Sequence, residues 1–73
     1  MDEYRKRWGA NVAEVRRKAG LSQRQLAEAI GVSQAAVARW ETGVATPTDA
    51  HKMGVCRVLK CDPNTIFAMP RWI

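Results

Sequence analysis

At 73 residues the chain has room for one small, marginally stable domain and no second core. Lys and Arg number 12 against 7 Asp and Glu, and the net charge of +5 suits a polyanionic partner. No apolar run approaches ~18 residues and no apolar segment follows the charged start Met1–Arg7, so neither a membrane span nor a secretory signal is expected and the expected compartment is the cytoplasm.

Apolar residues recur at helical spacing throughout, and nothing reads as a strand. The first segment runs from about Asp2 to Ala19, with Tyr4, Trp8, Val12, Val15 and Ala19 on one stripe and Asp2 able to cap its start. Its Arg5, Lys6 and Arg7 form a basic cluster whose default reading is a solvated helix face, with phosphate contact as the alternative. Gly20 ends it. The second segment opens with Ser22 as cap and Gln25 completing a capping box, while Leu21 staples to Leu26. Leu26, Ala27 and Ile30 face inward and Gly31 stops it. The third repeats this grammar: Ser33 caps, Val32 staples to Val37, Val37 and Trp40 face inward, and Gly43 ends it.

A loop, Val44–Thr46, leads to a fourth helix that starts near Pro47 or Asp49, with Thr46 a good cap before Pro47 and Thr48 the alternative, and runs to about Lys60. Val55, Cys56 and Leu59 face inward there, flanked by Met53 and Val58. A short fifth helix follows, with Asp62 as cap, Pro63 in the first turn, Cys61 stapled to Ile66 and Phe67 buried. Residues 1–67 thus form an all-α, five-helix domain, and 68–73 a tail with no regular pattern. Placed on one helix, Cys56 and Cys61 would lie roughly 8 Å apart, too far for a disulfide. With His51 the only histidine, no zinc site is complete, and no cofactor, metal or small-molecule ligand is expected.

Segments two and three are too short to persist alone in water, so they must pack on each other and on a scaffold. The three-residue connection Gly31-Val32-Ser33 suits a tight turn between crossed helices, with Ala27 small enough for the crossing. The outward face of the third segment, Gln34, Ala35, Ala36, Ala38 and Arg39, is small, hydrogen-bonding and free of acid. The run Leu21-Ser22-Gln23-Arg24-Gln25-Leu26-Ala27-Glu28-Ala29-Ile30-Gly31-Val32-Ser33-Gln34, followed by Val37, Trp40, Glu41 and Gly43, resembles the lambda repressor and Cro family of phage and bacterial regulators. The resemblance covers about Val12 to Phe67 and implies five short helices with a helix-turn-helix over 23–42.

It also implies roles. Gln34, Ala35 and Arg39 match base-facing positions, with Ala36 close behind. Glutamine can pair with adenine, arginine with guanine, and alanine can pack on a thymine methyl. Gln23 matches a glutamine that clamps a phosphate and orients Gln34; Ser33, Thr42, Val44 and Thr46 match backbone-contact positions. Arg16 and Glu41 match an ion pair between the first and third helices. The sequence departs from the family at Lys60, where glycine is common. It also departs in Val44-Ala45-Thr46, where a basic residue is common, so phosphate contact there would rest on backbone N–H groups and hydroxyls. The expected function is sequence-specific binding of double-stranded DNA by a Cro-like or minimal repressor, a homodimer on a pseudo-palindromic operator in a bacterial or phage-infected cell. Phe67, Met69, Trp72 and Ile73 are candidates for the dimer contact. The alternative is an antitoxin or protein-interaction adaptor on the same fold. With a single histidine and no phosphate loop, an enzyme is not expected.

Overall fold

Five helices, α1 (Glu3–Lys18), α2 (Gln23–Ile30), α3 (Gln34–Thr42), α4 (Asp49–Leu59) and α5 (Pro63–Ile66), make up the computed structural model, which describes residues 3–68 and has no strand among them. Short polar side chains start four of them. Ser22 Oγ accepts from the Gln25 N–H at 3.0 Å while Gln25 Oε1 accepts from the Ser22 N–H at 2.8 Å, a complete capping box. Ser33 Oγ accepts from the Ala36 N–H at 3.1 Å and Asp62 Oδ1 from the Asn64 N–H at 2.8 Å. Thr48, rather than Thr46, caps α4 by accepting from the His51 N–H at 3.2 Å. Pro47 is therefore not a helical residue; it is buried in the loop ahead of the cap. The expected cap Asp2 lies outside the described residues.

The core joins α1 through α5: Trp8 and Val12, Leu26 and Ala27, Val37 and Trp40, Val55, Cys56 and Leu59, then Ile66 and Phe67. The inner stripe of α1 ends at Arg16 instead of Ala19, because the helix stops at Lys18 and Ala19 beyond it is exposed. Met53, expected to flank the α4 core, faces solvent. Trp8 anchors the far end of the domain. Its ring meets Tyr4 and Phe67 edge-on at centroid distances of 4.9 and 5.6 Å, and its Nε1–H donates to the Ala68 carbonyl at 2.9 Å. Lys52 Nζ sits over the same ring at 4.4 Å, a cation–π contact that ties α4 to α1.

The α4 end turns at Lys60, a non-glycine residue in the left-handed region with φ 55°. This turn takes Cys61 off the helix, so the two cysteines do not share one helix. The Cys61 N–H returns to the Cys56 carbonyl at 3.0 Å, and both cysteines are free. Burial pushes the Cys56 thiol up to about 11, with its neighbours Cys61 and Asp62 adding to the effect, so near neutral pH it is an unreactive core thiol.

α1 crosses α3 at Gly9. A β-carbon there would fall 2.2 Å from the Trp40 carbonyl oxygen and 2.7 Å from that of Glu41. The substitution Gly9→Ala should therefore lower stability by about 1–3 kcal/mol through overpacking, although alanine is the better helix former. A denaturant midpoint at or above wild type would remove this account. The substitution Lys60→Gly should have the opposite sign. It relieves left-handed strain of ~1–2 kcal/mol, offset by ~0.5–1 kcal/mol of added unfolded-state freedom. A higher urea midpoint with an unchanged m-value is the expected reading.

Candidate nucleic-acid interface

The face of α3 is fixed from beneath by a chain of polar contacts that begins in the interior. Arg16 on α1 donates from Nε to Glu41 Oε2 at 2.6 Å and from Nη2 to Oε1 at 3.0 Å, a two-pronged bond to α3. Its Nη1 donates to the Leu21 carbonyl at 2.8 Å, so the same guanidinium also holds the entry to α2. The two side chains are only 10% and 6% exposed. The pair is thus buried, unlike the partly exposed surface pair that would contribute little. Burial pushes the Glu41 carboxyl up, but hydrogen bonds from Arg16 and Gln23 and the charges of Arg16 and Arg17 outweigh it. The carboxyl is held below its ordinary value of about 4.5. The Glu41 hydrogen bond in turn raises the Arg16 guanidinium against its own desolvation.

From Glu41 the chain of contacts runs outward. Gln23, the first residue of α2, donates Nε2–H to Glu41 Oε1 at 2.9 Å. Its Oε1 faces Gln34 Nε2 at 3.5 Å, a long and weak contact at the N-terminus of α3. Gln34, Ala35 and Arg39 are exposed, and Ala36 is half-buried behind them. Arg39 makes no ion pair among the described residues. Ser33 is exposed beside Gln34, its oxygen engaged as the α3 cap. Thr42 is exposed at the other end, its hydroxyl turned back to the Ala38 and Arg39 carbonyls at 3.1 and 3.3 Å. Val44 is exposed and Thr46 half-buried in the loop beyond.

Two expectations change at this point. The N–H groups of Val44 and Ala45 do not point outward as phosphate donors. They return to the Arg39 carbonyl at 3.0 and 3.3 Å, and that of Gly43 returns to the Trp40 carbonyl at 3.2 Å. Closing the end of α3 consumes them. Phe67, a candidate for a subunit contact, is in the core against Trp8 and has little surface to offer a partner. Met69, Trp72 and Ile73 lie outside the described residues. Sequence reasoning missed Gly9, whose signal was a glycine in the middle of a helical stripe. Nor did it foresee that the backbone and stem of Lys6, an exposed residue of the basic cluster, lie against Gly43 at the end of α3.

Two crossed short helices joined by a three-residue turn, with the second presenting an acid-free polar face, define a helix-turn-helix domain. The helix-turn-helix family model matches residues 12–66, and the chain belongs to this family, of the lambda repressor and Cro-like type. It is 37% identical over 46 residues to the HTH-type transcriptional regulator DicA of Escherichia coli (strain K12), a match covering 63% of this chain and 34% of DicA. The match thus spans about a third of that relative's length. Among solved structures it is similar to the clp gene regulator ClgR of Corynebacterium glutamicum, with TM-score 0.82, 27% identity and coverage of 86% of this chain and 67% of ClgR. It shares the fold of the P22 c2 repressor in complex with a synthetic operator, with TM-score 0.78, 24% identity and coverage of 85% and 96%.

The pair Arg16–Glu41 makes a prediction with a definite sign. The folded-state pKa of Glu41 is lowered, so its stabilisation is present above the ordinary carboxylate range and is lost as pH falls through the folded value, below about 4.5. The substitution Arg16→Met leaves a buried carboxylate without its counter-ion and should cost about 3–5 kcal/mol near neutral pH. The gap between wild type and variant should narrow as acid protonates Glu41. A gap that stays constant from pH 7 to pH 3 in chemical denaturation would assign the effect to packing instead.

Proposed function

We propose that this chain binds double-stranded operator DNA sequence-specifically, with α3 in the major groove, and regulates transcription by occupying its site. The observation that carries the reading is the exposed, acid-free α3 face bearing Gln34, Ala35 and Arg39, with Gln34 adjoining the buried Arg16–Glu41–Gln23 chain of contacts. In this reading Gln34 and Arg39 address base edges, and Ala35, with Ala36 behind it, packs on thymine methyls. Gln23, Ser33, Thr42 and Thr46 line the backbone on either side, positioning the protein without reading sequence, whereas Val44, its N–H spent on the end of α3, is left only an apolar side chain to set there. The operator-bound P22 c2 repressor and the transcriptional regulator DicA, both similar to this chain, support the same reading. The site of action is then the cytoplasm of a bacterium or a phage-infected host.

One module of this size makes few base contacts, so we propose that it acts as a symmetric homodimer. Two recognition helices about 34 Å apart would then meet half-sites one DNA turn apart on a pseudo-palindrome. An adaptor or antitoxin on the same fold would not need this pattern of glutamine and arginine on an open face.

Selecting bound duplexes from a random pool tests both parts. A pool that converges on two inverted half-sites supports the dimeric reader, and convergence on a single asymmetric site would refute the dimer. On the selected site, Arg39→Ala should weaken binding by about 1–3 kcal/mol and relax preference at one position per half-site. Unchanged affinity and preference would end the recognition assignment.

A further inference from the structure

The loop after α3 carries no cation, and the N–H groups of Gly43, Val44 and Ala45 are turned back into the helix end. The segment that follows a recognition helix therefore has no charge and few donors of its own to offer a phosphate. What lies against it is α1. A β-carbon built on Gly43 would fall 2.9 Å from Lys6 Cγ, 3.1 Å from its Cα and 3.2 Å from its backbone N. Gly43 has φ 83°, and the absence of a side chain lets the first third of α1 rest directly on the α3 cap. Lys6 is exposed and makes no ion pair among the described residues.

We propose that Lys6, from the first helix, supplies the phosphate-binding charge at the C-terminal end of the recognition helix. The inference rests on the DNA-binding reading above. The geometry that favours it is the length of α3. Its 9 residues span about 13.5 Å at ~1.5 Å per residue, close to the ~12 Å width of the major groove. With the Gln34 end among the bases, the Gly43 end reaches the rim of the groove, where the phosphates run. A lysine ammonium on a flexible stem suits that task, since it binds a phosphate as a point charge without demanding one orientation. The charge that the loop lacks thus comes from another element, through a backbone contact that Gly43 permits.

The test is the salt dependence of binding to the selected duplex, measured for four proteins. In Lys6→Gln the slope of log K against log[salt] should fall by about 1 per bound protomer, while the ranked site preference stays as in wild type. Lys6→Arg keeps the charge and should keep the wild-type slope. Arg57→Gln makes the same one-charge change on the exposed part of α4 and should leave the slope within about 0.3 of wild type. The inference is overturned if Lys6→Gln binds with the wild-type slope, if Lys6→Arg loses as much as Lys6→Gln, or if Arg57→Gln lowers the slope equally. In each of those cases the DNA-binding reading survives, because wild type still binds the duplex with steep salt dependence. Failure of that reading looks different: wild type itself selects no duplex.

Discussion

The position of α3 depends on how closely it can approach α1, and the missing side chain of Gly9 determines that distance. The carbonyls of Trp40 and Glu41 occupy the space where a β-carbon would stand. A glycine inside a helix is unfavourable by roughly 1 kcal/mol relative to alanine, so the sequence accepts a weaker α1 in return for this contact. The approach has consequences on both sides. It brings Trp40 into the core beside Trp8 and Val12, and it brings Glu41 within two-pronged reach of Arg16. With α1 and α3 further apart, the apolar packing and the ion pair would both be stretched.

The ion pair does something that an apolar contact could not. A buried pair costs much of its attraction in desolvation, and well-packed apolar residues would often give equal or greater stability. What the pair adds here is direction. Arg16 engages Glu41 on α3 and the Leu21 carbonyl at the start of α2, so one guanidinium fixes both members of the helix-turn-helix to α1. Glu41 passes that order to Gln23, and Gln23 passes it more loosely to Gln34. The decline along this path fits a reader. The inner members are held by short charged bonds. The outermost contact, at 3.5 Å, is weak enough that, on the proposed reading, the Gln34 amide would exchange Gln23 for a base edge at little cost.

The parts of this arrangement written in local chemistry were legible before the structure. Ser22 with Gln25, Ser33, Asp62, and the stops at Gly31 and Gly43 follow from backbone groups that lack partners at helix ends, and those partners are near in sequence. The parts that depend on distant segments were less so. Ala19 fits the helical stripe but falls past the point where α1 stops, and Arg16 takes the inward place because its partner sits on another helix. Thr46-Pro47 reads as the better helix start and Thr48 as the alternative, yet the cap is Thr48, with Pro47 buried ahead of it. That Cys56 and Cys61 stay free was readable from their spacing, but the left-handed turn at Lys60 that separates them is not written there. Of the recognition face, residue types and order were readable. The inward folding of the loop N–H groups and the seat of Lys6 on Gly43 were not, since both arise from the three-dimensional closure of α3.

The charge pattern follows the same division. Glu14, Glu28 and Asp49 each lie within 3.8 Å of a cation on their own helix, and Glu41 is buried with Arg16. The exposed pairs contribute little to stability. Their effect is to cancel acid locally, so that the net positive charge is not offset near α3. The helix itself then needs only Arg39 as a cation on its open face, and its remaining outward positions can stay small enough for close approach. A reader crowded with lysines would bind phosphates anywhere along a duplex, because that attraction carries no sequence information. On the proposed reading, general attraction on α1 and base contact on α3 would separate affinity from discrimination. The two helices would then have to be held at a constant separation for both to engage one duplex, and Gly9 and the Arg16–Glu41 pair hold them so.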